Sequence, residues 1–247
     1  MVRVRNEEQK ISHCLRSILG VFDEIVLVDN GSDDATASIV RNLAPTAPGG
    51  DRLTMLSYPH RLARFGPEHG ATPEDSVHSA VYFTNWALSH CSYRYVCKWD
   101  GDMVLRRAAR EPFVRFLRDI RTGPRKCWVL AGQTVYRGPS GEFFMATGEV
   151  NREVEIFPYS LACRFHKHPS WERLRRPFYF RKGEFDPVCF FELKYVDEDE
   201  FDHWSSTEWQ TERKRREWAN FQLVRNGEAD ANGFERFPAS FLDSEMP

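Results

Sequence analysis

The sequence predicts an α/β fold with a mostly parallel central sheet, helices on both faces and a less regular C-terminal extension. Two observations carry this prediction. Strand and helix patterns alternate through the first half of the chain, and residues 25–28 form a continuous apolar run. Such a run is typical of a strand buried on both faces of a parallel sheet. An alternating β-α-β order gives parallel strands joined by right-handed crossovers.

The elements of the first half follow from hydrophobic spacing. Val2 and Val4 alternate with arginines and predict a short first strand. Residues 11–19 have helical spacing, and a glycine ends that helix. After the buried strand, a polar turn at residues 30–34 leads into a second helix with acids in its first turn. A third strand at residues 53–58 completes a β-α-β-α-β order.

After residue 58 the apolar residues are less regularly spaced, and the predicted helices and strands are less regular in order. Residues 59–75 predict a loop rich in Pro, Gly, His and Arg, and Pro112 suits the first turn of a helix that continues to Ile120. A solvated acidic loop is predicted at 197–202. The remaining predictions are helices at 77–88 and 207–223, and strands at 93–99, 128–136, 142–145, 154–157 and 188–195.

The composition of the chain limits the classes of function that it can have. The chain has 247 residues and a formal net charge of −2, so no electrostatic footprint for nucleic acid appears at the level of the whole chain. No apolar run is long enough to span a membrane, and the first residues do not read as a signal peptide. The six cysteines contain no Cys-x-x-Cys pair. They predict small buried side chains in a reducing, cytoplasmic compartment.

The most specific motif is Asp100-Gly101-Asp102, at the end of the strand predicted at residues 93–99. Open α/β sheets bind ligands beyond the carboxyl ends of their strands. Two carboxylates there suit Mg²⁺ or Mn²⁺, which use one or two protein carboxylates and leave positions for substrate phosphates. A solvated turn is the simpler interpretation, because Asp and Gly are common turn formers.

Three segments in this order resemble the opening of family 2 glycosyltransferases with the GT-A fold. They are residues 4–8, residues 15–36 with the run Val28-Asp29-Asn30-Gly31-Ser32, and the Asp100-Gly101-Asp102 motif. The resemblance covers about the first 105 residues. It implies a single GT-A domain over 1–247, with a nucleotide-sugar-binding half at 1–105, an acceptor-side half at 106–205, and a C-terminal helix and tail at 206–247.

The resemblance also implies roles for individual residues. Asp29 would accept hydrogen bonds from the base, although it could instead cap the turn that follows it. Asp100 would reach the ribose or a metal-bound water, and Asp102 would bind Mn²⁺ or Mg²⁺ directly. The other implied nucleotide-binding residues are Val4, Arg5 and Glu7 along the nucleotide, and Asn85 near the diphosphate.

The second half departs from the family pattern. Glu172 is the predicted general base and His168 the predicted third metal ligand, although a histidine in a basic loop is more often a surface residue. Glu149, Asp186 and Glu192 remain competing bases. The helix at 207–223 is predicted either to cover the edge of the sheet or to make a peripheral membrane contact.

The predicted function is therefore a metal-dependent, inverting glycosyltransferase. It would use a nucleotide diphosphate donor, with UDP favoured, and a hydroxyl acceptor on a glycan or lipid-linked glycan. The predicted location is the cytoplasm or the inner face of a membrane. Two alternatives stay open. Asp100 and Asp102 also fit the signature of haloacid-dehalogenase-like phosphatases, in which the first Asp is a nucleophile. The chain could also be a non-catalytic nucleotide-sugar-binding module.

Overall fold

The computed structural model describes residues 1–169, 171–196 and 211–246. Its helices are α1 Ile11–Ile18, α2 Thr36–Leu43, α3 Pro67–Ala71, α4 Ala80–Ser89, α5 Arg107–Ile120, α6 Glu212–Arg225 and α7 Phe241–Glu245. Its strands are β1 Val2–Val4, β2 Ile25–Asp29, β3 Leu53–Ser57, β4 Tyr95–Cys97, β5 Trp99–Asp100, β6 Met103–Leu105, β7 Cys127–Arg137, β8 Phe143–Ala146, β9 Asn151–Pro158, β10 Arg164–Lys167, β11 Glu172–Arg175, β12 Lys182–Tyr195 and β13 Phe234–Phe237. Short 3-10 turns lie at Gly50–Arg52 and Ala229–Ala231.

The N-terminal sheet is fully parallel and confirms the predicted fold class. Its strand order is β3-β2-β1-β5, and every neighbouring pair runs in the same direction. The register places Val4 opposite Asp29 on one side of β1, and Arg3 opposite Asp100 on the other. The carboxyl ends of these strands therefore form one edge, which carries Asp29 and Asp100.

Helices cover both faces of this sheet, as the sequence predicts. On one face, Val2, Leu27 and Trp99 pack with α1, α2 and α5 in the largest apolar cluster. On the other face, Val26 and Val28 pack with α4 and with the β10–β11 hairpin. Successive residues of a strand therefore pack into different apolar clusters, because their side chains point to opposite faces of the sheet.

The second sheet is mixed, so the parallel prediction holds for the N-terminal strands only. Its main path is β13-β8-β7-β12-β6, and β9 joins β7 to β4. The long pair β7–β12 is parallel, whereas the β12–β6, β7–β8, β7–β9, β4–β9 and β8–β13 pairs are antiparallel. The pair β12–β6 positions the chain directly after Asp102, since Glu192 lies opposite Met103.

Several local predictions are corrected. The strand predicted at residues 93–99 divides at Lys98 into β4 and β5, because β4 pairs with β9 and β5 pairs with β1. Pro112 lies in the second turn of α5 and not in its first, because the helix starts earlier, at Arg107. The loop at 59–75 contains the short helix α3. The β10–β11 hairpin was not predicted, since its strands lack an apolar alternation of useful length.

The C-terminal helix α6 packs against the mixed sheet, which agrees with the first of its two predicted interpretations. Phe221 and Val224 are buried with Tyr136 of β7. The predicted acidic loop at 197–202 and the helix start at 207–210 lie outside the described residues. No helix in the described ranges is both long and apolar enough to cross a bilayer. All six cysteines are buried and free, as predicted.

Candidate functional site

Asp100 is held in a cluster of positive charge at the carboxyl edge of the parallel sheet. Arg3 Nη2 and Nε donate to Asp100 Oδ1 at 2.7 and 3.2 Å, and Lys98 Nζ donates to Oδ2 at 3.1 Å. Burial alone would raise the pKa of Asp100, but Arg3 and Lys98 outweigh it and hold that pKa well below its usual range. Asp100 is therefore ionised over the whole physiological range.

Arg3 connects Asp100 to Thr84 of α4 and to Glu172 of β11. Its Nη1 donates to Thr84 Oγ1 at 2.8 Å and forms an ion pair with Glu172. Burial would lower the pKa of Arg3, but Asp100 and Glu172 raise it above the ordinary arginine value. The side chain of Glu172 is almost fully buried. The structure thus brings the predicted base into the Asp100 cluster, with a guanidinium between the two carboxylates.

Asp102 belongs to a second cluster, which contains a buried lysine. Lys194 Nζ lies 2.9 Å from Asp102 Oδ2 and 3.2 Å from Glu192 Oε1. Arg213 of α6 then contacts Glu192 through Nη2 at 3.0 Å. Burial raises the pKa of Glu192 to about 7, which places its titration near neutrality. Lys194 therefore links the second acid of the motif to a carboxylate of unusual basicity.

The donor set at Asp102 fits a divalent ion held by one protein carboxylate. Its hydrogen-bonded oxygen is Oδ2, and no described residue donates to Oδ1. No group of three His, Cys, Asp or Glu side chains with metal-binding geometry occurs among the described residues. Mg²⁺ and Mn²⁺ sites at phosphate substrates do not need such a group, since substrate oxygens and water fill the other positions. A one-carboxylate site is therefore chemically sufficient.

His168, the predicted third ligand, is not brought into a ligand set with Asp100 and Asp102 in the described part of the chain. Its ring stacks on Trp171 with centroids 4.7 Å apart, and its carbonyl oxygen lies 3.0 Å from His69 Nε2. These contacts give His168 a structural place in the turn between β10 and β11.

Val4 and Glu7, two of the predicted nucleotide-binding residues, pack directly against the acid motif. A Cβ atom added to Gly101 would lie 2.7 Å from Val4 Cγ1 and 3.1 Å from Glu7 Cγ. The residue between the two acids therefore has to be glycine for the chain to pass this close. Arg5, in contrast, is exposed.

Asp29 caps the turn that follows β2. Its Oδ1 accepts hydrogen bonds from Ser32 N at 3.0 Å and from Ser32 Oγ at 2.6 Å. The register places Asp29 on the same face as Val4, and Asp100 on the same face as Arg3. The two carboxylates thus share an edge of the sheet but leave it from opposite faces. A cavity lined by Met1, among other residues, lies at the amino-terminal end of these strands, away from both acids.

Asn85 has both ends of its carboxamide engaged with the backbone of Phe165. Its Nδ2 donates to Phe165 O at 2.9 Å, and its Oδ1 accepts from Phe165 N at 3.0 Å. This pair of bonds fixes β10 to α4, so the structure gives Asn85 an anchoring contact, and its proximity to a diphosphate stays a prediction. Thr84, one residue earlier, is the side chain of α4 that contacts Arg3.

Arg3 and Lys194 are the two central residues that the sequence did not identify. A signal for Arg3 was present, because alternation with Val2 and Val4 places its side chain on the face opposite theirs. No pattern could have paired Lys194 with Asp102, since 92 residues separate them.

Comparison with known proteins agrees with the predicted resemblance. Residues 1–64 of the 247 match the family model described as glycosyl transferase family 2. The match confirms the resemblance at the start of the chain and, with it, the predicted enzyme class, a glycosyltransferase. No curated protein sequence matches the chain.

Two solved structures illustrate the similarity of the fold. S. aureus TarS 1-349 in complex with UDP-GlcNAc is 13% identical, over 94% of this chain and 73% of the 1-349 chain, with a TM-score of 0.49. Glucosyl-3-phosphoglycerate synthase from Mycobacterium tuberculosis, in complex with Mn²⁺, UDP and glucosyl-3-phosphoglycerate, is 21% identical. That similarity covers 57% of this chain and 44% of the synthase, with a TM-score of 0.31. At these scores the fold assignment rests on the sheet topology of the chain itself.

Proposed function

We propose that this chain, whose first 64 residues match glycosyl transferase family 2, transfers a sugar from a nucleoside diphosphate donor to a hydroxyl acceptor. The observation that carries the proposal is the arrangement of two carboxylates and three cations around the carboxyl end of β5, at the edge of the parallel sheet. Asp100 lies with Arg3 and Lys98, and Asp102 lies with Lys194. This edge is where open α/β sheets bind ligands.

The donor would lie across the carboxyl ends of β1, β2 and β5. Val4, Arg5 and Glu7 would follow the nucleotide, Asp29 would meet the base through Oδ2, and Asp100 would meet the ribose. Both hydrogen bonds of Asp29 use Oδ1, which supports this assignment of Oδ2. UDP is the favoured carrier. The acceptor is a hydroxyl of a glycan or a lipid-linked glycan, reached on the cytoplasmic side of a membrane.

Asp102 would hold Mn²⁺ or Mg²⁺ through Oδ1, while Lys194 fixes the carboxylate through Oδ2. When bound, the ion supplies Lewis acidity toward the departing diphosphate. Lys98 and Arg3 add positive charge near the same edge, and this would favour binding of a diphosphate. The chain's own contribution is thus to orient the donor and to compensate its negative charge.

Transfer with inversion requires one displacement. The acceptor oxygen forms a bond to the anomeric carbon as the bond from that carbon to the diphosphate breaks, and the hydroxyl proton passes to a base. Glu172 is paired with the buried guanidinium of Arg3, which opposes its use as that base. Glu192 is also paired, with Lys194 and Arg213, but its burial outweighs the effect of Lys194 and raises its pKa to about 7, which suits general base catalysis near neutrality. We therefore place the base at Glu192 and give Glu172 a positioning role through Arg3.

Thermal unfolding with nucleotides tests the proposed donor class. UDP with Mn²⁺ should raise the melting temperature more than UDP or Mn²⁺ alone, because a ligand that binds only the folded state stabilises it. GDP and dTDP, each with Mn²⁺, serve as matched controls for the base. Equal shifts with all three diphosphates would contradict the preference for UDP. No shift with any of them, together with hydrolysis of a simple phosphate ester, would favour the phosphatase alternative.

The pH dependence of transfer tests Glu192. Its raised pKa predicts that kcat falls as the pH drops through about 7, because the base becomes protonated. In Glu192→Gln this acidic limb should disappear and kcat should fall at least 100-fold. The corresponding Glu172→Gln variant should keep the limb. An acidic limb that survives in Glu192→Gln and is lost in Glu172→Gln would return the base to Glu172.

A further inference from the structure

The open end of the β10–β11 hairpin carries a surface that the proposed chemistry does not use. Arg164 lies opposite Arg175 in the antiparallel register, so the segments before β10 and after β11 leave the hairpin side by side. Leu161 is on the first segment, and Phe178 and Tyr179 are on the second. These five residues are called the hairpin-end surface below.

The apolar members of the hairpin-end surface are unusually exposed. Phe178 is 95% exposed, Leu161 is 84% and Tyr179 is 62%. Each segment is anchored by a buried neighbour, Cys163 in the first and Phe180 in the second. Turn hydrogen bonds hold both, from Cys163 N to Ser160 O at 2.9 Å and from Phe180 N to Pro177 O at 3.1 Å. The outward position of the apolar side chains is therefore set by ordered turns.

The chain segment that carries these apolar side chains is rich in positively charged residues. Residues 158–182 contain seven Lys and Arg residues and a single acid, Glu172. That acid is buried and paired with Arg3, at the opposite end of the hairpin. Arg164, Arg175 and Arg181 are exposed. The hairpin-end surface thus presents protruding apolar side chains on segments that also carry exposed arginines.

We propose that the hairpin-end surface docks on an anionic lipid bilayer. Leu161 and Phe178 enter the headgroup region, and the flanking arginines bind lipid phosphates. Apolar side chains backed by Lys and Arg are the combination that interfacial membrane binding requires. A single-stranded nucleic acid would instead call for a positively charged groove that follows its backbone, whereas Leu161 and Phe178 protrude from the surface.

The hairpin also relates the bilayer to the site. Each strand has four residues, so three residue steps separate its two ends, a length of roughly 10 Å at about 3.4 Å per residue. Glu172, at the far end, contacts Arg3 in the Asp100 cluster. If the proposed function holds, an acceptor anchored in lipid would meet the site close to the membrane surface. The docking itself does not depend on that function.

Vesicle sedimentation without donor or acceptor tests the proposal directly. The protein should bind vesicles of phosphatidylcholine with phosphatidylglycerol and leave phosphatidylcholine vesicles unbound, and added salt should weaken binding. Leu161→Ser/Phe178→Ser should reduce partitioning at least tenfold. Arg164→Gln/Arg175→Gln should reduce it by about fivefold per charge removed.

The matched control is Arg215→Gln/Arg216→Gln on α6, which removes two charges from the C-terminal helix. It should partition like the wild type. The hairpin variants should keep their melting temperature and their shift with UDP and Mn²⁺, which separates this test from that of the proposed function. The proposal is overturned if the wild type ignores anionic vesicles, if the Leu161/Phe178 variant partitions normally, or if only the α6 variant loses binding.

Discussion

Replacing Asp102 by asparagine should reduce sugar transfer by at least 100-fold and remove the Mn²⁺-dependent part of the stabilisation by UDP. Asparagine keeps the shape of the side chain but loses the charge that Lys194 and a divalent ion both require. Loss of one preorganised electrostatic group at a transition state typically costs about 100- to 1,000-fold in rate. Transfer assays and thermal unfolding with and without Mn²⁺ measure the two effects.

The control for Asp102→Asn is Asp33→Asn, which removes the same charge from an exposed position. Asp33 lies beside the turn after Asp29, which is predicted to contact the nucleobase. Its activity and metal response should match those of the wild type. Asp102→Asn also leaves Lys194 with one carboxylate fewer, so binding has to be compared below the melting temperature of each variant. Retention of full Mn²⁺-dependent stabilisation in folded Asp102→Asn would remove Asp102 from the metal site.

Replacing Arg3 by methionine should destabilise the fold and disable the site together. The guanidinium compensates Asp100 and Glu172, and its removal leaves two carboxylates without their common partner. Breaking a buried pair in this way costs about 3–5 kcal/mol, and Asp100 is one-third exposed, so we expect about 3 kcal/mol. Urea unfolding measures this loss. Arg5→Met is the control, because the Arg5 side chain is exposed and lies two residues after Arg3, directly beyond β1. This substitution should change the free energy of unfolding little.

The pH dependence of the Arg3 effect has a defined sign. The pKa of Asp100 is depressed in the folded state, so its pairing stabilises the protein above about pH 4 and is lost as the pH falls below that ordinary range. The stability difference between wild type and Arg3→Met should therefore shrink on acidification. A difference that stays constant between neutral and acidic pH would show that the pairing with Asp100 is not its source.

The parallel half of the fold was predictable because its residues obey local rules. The buried strand at residues 25–29, the helix before it and the turn at Ser32 each carry their own signal. The mixed sheet was harder, because the paired residues of its long strands β7 and β12 are 55 to 58 positions apart, and their register includes irregularities near Val188. Periodicity within a strand does not report which strand lies beside it.

The site divides in the same way. Asp100 and Asp102 were recognisable from their position after a strand, and Glu172 was predicted as the general base from the family resemblance alone. Arg3 and Lys194 come from distant parts of the chain, so neither the ion pair of Asp102 with Lys194 nor that of Arg3 with Glu172 left a local pattern. The raised pKa of Glu192 results from its burial. Burial of a single carboxylate depends on the assembled structure, so the sequence alone did not reveal this pKa.

The contacts of Arg3 imply an order in which parts of the chain fold together. Its two carboxylate partners lie 97 and 169 residues further along the chain. Closing such long loops is entropically expensive and slow, so the β1–β5 pairing can form before the hairpin arrives, and the hairpin last. A nascent polypeptide that has emerged only as far as residue 105 would carry every residue of the recognisable signature but an incomplete salt cluster. Ligand-binding competence should therefore appear late in translation, after Glu172 and Lys194 have left the ribosome.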